Sequence, residues 1–184
     1  MTIQYAILGM LSWQPYAGYD LKKVFTDSAI FYWSGNNNQI YRTLVQLHEE
    51  ELVTQSVHYQ ESLPARKIYT ITEKGRAALK QWLLSAPELP ELRSTILIRL
   101  ASADLLNDDE LDGLLARYEE EARLQFLMQQ EHARRDGAAP SRSAREAYLW
   151  EMVGKNVVSV YENELNWVRE VRAGLAQLRK EREA

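Results

Sequence analysis

No cysteine occurs among the 184 residues, which excludes disulfides, thiolate metal sites and cysteine nucleophiles. No run approaches the roughly 18–20 consecutive apolar residues that a membrane-spanning helix requires. The opening MTIQYAILGML carries neither a basic flank nor a small-residue cleavage site, so it does not read as a secretory signal. Walker A, G-x-G-x-x-G and G-x-S-x-G motifs are all missing. The three histidines, His48, His58 and His132, lack the spacing of a helical or hairpin metal site. The expectation is a cytoplasmic protein with no membrane partner, no cofactor, no metal and no enzymatic activity.

What remains is ordinary for a folded domain: 46% hydrophobic and 26% charged residues. The formal net charge of −4 argues against nucleic acid only if it is spread evenly. It is not. Residues 1–85 hold eight Lys/Arg against seven Asp/Glu, and the remainder fourteen against nineteen. The acidity belongs to the second half.

SAPELPELRS (85–94) contains two prolines three residues apart, which disfavour a continuous helix and place a domain boundary there. The expected domains are 1–85 and 86–184. In the first, Ile3, Ile7, Met10 and Leu11 follow helical spacing. SWQPYAG (12–18) reads as a turn, YDLKKVF (19–25) opens a second helix, and IFYW (30–33) is an aromatic connector. A third helix runs from about Asn37 to Glu50 with Ile40, Leu44 and Leu47 inward. LVTQSVHY (52–59) and ARKIYTI (65–71) read as strands joined by a polar turn, and Thr72 caps the next helix. Three helices followed by a hairpin make a winged helix-turn-helix.

The second domain reads as helical throughout. Asn107 and Glu110 form an expected capping box. Leu111, Leu114, Leu115, Tyr118 and Ala122 then make one stripe. The last helix, about 142–181, spans roughly 60 Å, more than a domain of this size covers alone. Its apolar positions, among them Trp150, Val153, Val157, Val160, Tyr161, Trp167, Val168 and Val171, are expected to meet a second subunit. Glu164 interrupts that stripe and either sets register or faces a cavity. The tryptophans fit core positions, although Trp150 and Trp167 also suit the lining of an effector pocket.

The third helix carries the chemistry. At 100° per residue, Asn38, Gln39, Arg42, Val45 and Gln46 lie away from its apolar face, with Tyr41 on the shoulder. Asn and Gln pair bidentately with adenine, Arg with guanine, and an aliphatic group touches the thymine methyl. A solvated surface helix would share this composition. The basic pair Arg66–Lys67 in the hairpin, suited to phosphates, tips the reading toward double-stranded DNA. Asn36 and Gln39 have capping-box spacing, which leaves Asn37 in the first turn, beside the DNA backbone. A start one residue later would make Asn37 the cap.

These stretches resemble the PadR family of bacterial transcriptional regulators. YAILGMLSWQPYAGYDLKKVF (5–25) is similar to the family's opening helices, NQIYRTLVQLHEEELV (38–53) to its recognition helix, and LPARKIYTITEKGRAAL (63–79) to its wing. ENELNWV (162–168) resembles the virulence-activator-like tail of the longer subfamily. The resemblance implies a mostly α fold with a small β-hairpin, namely a winged helix-turn-helix followed by a C-terminal helical dimerisation domain with long helices. It implies a homodimeric repressor on a palindromic operator, released in some relatives by a small aromatic or hydrophobic effector. Asn37, Asn38, Gln39, Tyr41, Arg42, Gln46, Arg66 and Lys67 are the expected DNA contacts. A ligand-binding helical scaffold without a DNA-binding role is the alternative. One departure stands out: Glu51 occupies a position where relatives commonly have glycine.

Overall fold

The computed structural model describes residues 2–27, 37–60, 63–87, 89, 94–137 and 141–184. The connector IFYW, Asn36 and the tip of the hairpin at 61–62 lie outside them. The chain forms two compact units, Met1–Leu89 and Pro90–Ala184.

In the first unit, α1 (Thr2–Leu11), α2 (Gly18–Asp27) and α3 (Asn37–Glu49) surround one core. Each contributes the residues that its periodicity marks: Ile3, Ile7, Met10 and Leu11 from α1, Leu21 and Phe25 from α2, and Ile40, Leu44 and Leu47 from α3. A hairpin of β2 (Val53–Gln60) and β3 (Leu63–Ile71) follows, then α4 (Glu73–Leu83). The segment read as a plain turn also holds a strand, β1 (Tyr16–Ala17). It pairs antiparallel with β3, Tyr16 opposite Tyr69 and Ala17 opposite Ile68, so the sheet order is β1-β3-β2. Two residues are too few to show a period of two, which is why this strand is invisible in sequence. Val53, Tyr69 and Ile71 reach the core, whereas Val57, on the same face of β2, is 41% exposed. The hairpin therefore extends past the core as a wing.

The corner after α3 is a Schellman motif. Leu52 N–H donates to Leu47 O at 2.9 Å and Glu51 N–H to His48 O at 3.0 Å. Glu51 takes the left-handed conformation, φ 58°, the one such non-glycine residue among those described. Thr72 ties the corner to α4: its N–H reaches Leu52 O at 3.0 Å and its hydroxyl reaches Glu51 O at 2.8 Å. The same hydroxyl caps α4 by accepting from Gly75 N–H at 3.0 Å. Gly75 is obligatory at this approach, because a Cβ there would lie 2.1 Å from Leu52 O.

The second unit contains α5 (Thr95–Ala101), a 3₁₀ turn at Ala103–Leu105, α6 (Asp108–Gly137) and α7 (Ala144–Glu183). The capping box at α6 forms as expected: Asn107 N–H donates to Glu110 at 3.0 Å and Glu110 N–H to Asn107 Oδ1 at 2.9 Å. α6 and α7 pack together along Leu115, Ala122, Leu165 and Val168, flanked by Tyr118, Phe126, Trp167 and Val171. Near their other ends, Gly154 admits Ala133, whose Cβ would be 3.3 Å from a Cβ at 154.

Candidate nucleic-acid interface

Helix α3 divides into two faces. Ile40, Leu44 and Leu47 are at most 5% exposed and Thr43 is 8% exposed. Asn38, Gln39, Arg42, Val45, Gln46 and Glu49 all lie at the surface. Gln46 Nε2 donates to Glu50 Oε1 at 2.7 Å, one turn on, which steadies the amide along the helix. Asn37 opens the helix; its side chain lies outside the described residues, as does the proposed cap at Asn36.

Tyr41 has a second task. A Cβ at Gly18 would meet its ring at 2.7 Å, so the bare backbone at the start of α2 is what seats the tyrosine. Its far side remains 44% exposed. Tyr69 lies close by, and its pKa is raised by burial and secondarily by Tyr41. The Tyr69 phenol is thereby held neutral and able to donate a hydrogen bond at ordinary pH.

Arg66 and Lys67 are both at the surface of β3, opposite His58 and Val57 of β2. Successive side chains leave opposite faces of a strand, so the two cations start from opposite faces of the wing. Arg66 turns toward α2, where its Nη2 donates to Asp20 Oδ2. Lys67 shares its face with Tyr69 and Ile71, beyond the edge of the core. Nothing local in sequence signals the Asp20–Arg66 pair, since its members are 46 residues apart.

The expected dimer residues separate into two groups. Val168 is fully buried by its own chain, so it packs α6 against α7 and cannot serve a partner. Trp167 and Val171 pack beside it. Val153 and Val160 are 40% and 58% exposed. Trp150, Val157 and Tyr161 are half-buried. α6 thus covers part of the stripe that sequence assigns to a second subunit.

Charge organises the same helix pair. Arg172 bridges Asp112 at 2.9 Å and Glu119 at 2.6 Å, and Arg169 reaches Glu119 at 2.9 Å. Arg179 and Arg182 pair with Asp109 and Asp108 near the start of α6. Glu119 has its pKa lowered by hydrogen bonds from Arg172 and then Arg169. Glu164, the interruption in the apolar stripe, accepts the hydroxyl of Tyr118 across the pair. Burial first, and this bond second, push the Tyr118 pKa well above its ordinary value. Glu164 therefore ties α7 to α6 across the pair.

The description of the PadR-like transcriptional regulator family matches residues 7–81, and that of the virulence activator alpha C-terminal region matches residues 92–176. Residues 7–81 thus carry a PadR-like domain, and a virulence-activator-like C-terminal region follows it. The negative transcriptional regulator PadR of Bacillus subtilis is 33% identical over 90 residues, 49% of this chain and 50% of that protein. The chain thus spans about half the length of this curated relative. The fold agrees over a longer stretch. B. subtilis PadR in complex with operator DNA superposes with a TM-score of 0.83 at 23% identity, covering 95% of this chain and 99% of that one. The same protein with p-coumaric acid gives 0.77 at 22% identity, covering 96% and 99%. The Vibrio cholerae virulence activator AphA gives 0.71 at 27% identity, covering 95% and 98%. The PadR-like match takes in α2, α3 and the wing; the C-terminal match takes in α6 and most of α7.

Proposed function

We propose that this PadR-like chain is a DNA-binding transcriptional regulator acting as a cytoplasmic homodimeric repressor on a palindromic operator. The observation that carries this reading is the polar outer face of α3. It lies at the surface, while its opposite face is locked into the core and a wing stands beside it. Asn38, Gln39, Arg42 and Gln46 read base edges in the major groove, with Tyr41 alongside. The start of α3 at Asn37 and the wing residues Lys67 and Arg66 meet phosphates. Arg66 does so by exchanging Asp20 for the backbone. The α6–α7 unit joins two subunits through the apolar residues its own packing leaves exposed. The operator complex of B. subtilis PadR, a protein of the same fold, supports the assignment, and its p-coumaric acid complex supports release by a small aromatic effector. No catalytic step is assigned.

The test is a binding assay on the DNA immediately upstream of the chain's own gene, repeated across salt concentrations. Wild type should bind with a steep salt dependence. Arg42→Ala should lose about 1–3 kcal/mol and relax preference at a single base position. Unchanged affinity in that variant would remove α3 as the reading helix, and absence of any shift at low salt would remove the reading altogether.

A further inference from the structure

We propose that Asp20 is a specificity-determining residue: a fixed counter-charge on Arg66 that suppresses sequence-independent attraction to phosphate and is displaced only in the operator complex. The proposal rests on the DNA-binding reading above. Both members of the pair are accessible, with side chains 47% and 37% exposed, and exposed pairs add little to stability. Holding the fold together is therefore a weak reason for it. Its strength lies in the range that a phosphate can contest.

Its position is equally specific. Asp20 lies in the first turn of α2, where helix amides favour a carboxylate. Two residues earlier, Gly18 seats the Tyr41 ring of α3. β1, which immediately precedes α2, pairs with the segment of β3 just beyond Arg66. The pair therefore sits where recognition helix, α2 and wing converge, beside the surface that approaches DNA. Cations are few in residues 1–85 as a whole. Of the eight Lys/Arg in residues 1–85, Arg66, Lys74 and Arg76 all stand in ion pairs. Where so few positive charges face a polyanion, masking one changes non-specific affinity by a large fraction. On an operator, base contacts hold the wing against the backbone long enough for Arg66 to exchange partners. On other sequences nothing compensates the exchange.

The experiment measures dissociation constants across salt for the operator fragment and a scrambled duplex of equal length. Wild type, Asp20→Asn, Arg66→Ala and the double variant are compared, with thermal melts to check folding. Asp20→Asn should tighten scrambled-DNA binding roughly fivefold to tenfold near 0.1 M salt and steepen its log–log slope by about 0.9. Operator binding should change less, so discrimination falls. The double variant should return the scrambled slope to that of wild type. Arg66→Ala alone should leave the scrambled slope unchanged and flatten the operator slope by about 0.9. The inference is overturned if Asp20→Asn weakens both duplexes alike, as loss of a wing brace would, or leaves both slopes unaltered. It is also overturned if Arg66→Ala flattens the scrambled slope, a readout that stands even if Asp20→Asn fails to fold. Wild type binding neither duplex would sink the DNA-binding reading and this inference together; wild type binding with no response to Asp20→Asn would sink this inference alone.

Discussion

Glu51 holds a backbone conformation that costs an L-residue roughly 1–2 kcal/mol and a glycine almost nothing. Its φ of 58° is imposed by the Schellman corner between α3 and β2. The side chain recovers little by pairing with Lys74 at 3.1 Å, since it is 81% exposed. Glu51→Gly should accordingly raise unfolding free energy by about 1 kcal/mol, read as a higher urea midpoint at unchanged m-value. Gly75 is the reverse case. Gly75→Ala forces a methyl into Leu52 O and should destabilise by about 1–3 kcal/mol, again in urea. The two positions differ in legibility. Glu51 is conspicuous in sequence once the family resemblance is drawn. Gly75 also belongs to that resemblance, but its reason, a backbone approach between residues 23 positions apart, exists only in three dimensions.

Between α6 and α7 the governing interactions are cross-helix. Glu119 binds a proton less readily folded than unfolded, because Arg172 and Arg169 hold its carboxylate. Its stabilisation is complete above the ordinary carboxylate value of 4.5 and is lost as pH falls from there through the lowered value. Melting temperature followed by circular dichroism should decline on acidification below pH 4.5, and Glu119→Gln should flatten that decline; an equally steep decline in the variant would assign the acid sensitivity elsewhere. Sequence shows the helices, the capping box of α6 and the polar break at Glu164, because these depend on neighbours one turn away. It gives no sign of the cross-helix ion pairs, because the arginines that claim Asp112 and Glu119 lie 50 to 60 residues on. For the same reason one stripe on α7 is assigned wholly to a partner, when α6 already covers its Val168 segment.

At the level of the whole molecule, α7 at 40 residues is about 60 Å long, and Val153 and Val160 are among the large apolar residues it leaves to solvent. Val153→Asp with Val160→Asp should leave the monomer folded and shift sedimentation from dimer to monomer, weakening operator binding with it. Val168→Asp, by contrast, places a charge in the α6–α7 core and should unfold that unit. A double aspartate variant that sediments like wild type would move the subunit interface to another surface. The helix order, the wing and the outward face of α3 are all legible in sequence because short-range periodicity encodes them; β1, the Asp20–Arg66 pair and the α6–α7 arginines are not. The division of α3 into a locked face and an open one has a final consequence. Exchanging Arg42, Val45 or Glu49 disturbs little of the core that holds the helix, and surface changes of this kind usually fall within about 0.5 kcal/mol. On the proposed reading, descendants of this chain wander among DNA sites while their architecture stands still, reassigned to new promoters by a few surface replacements.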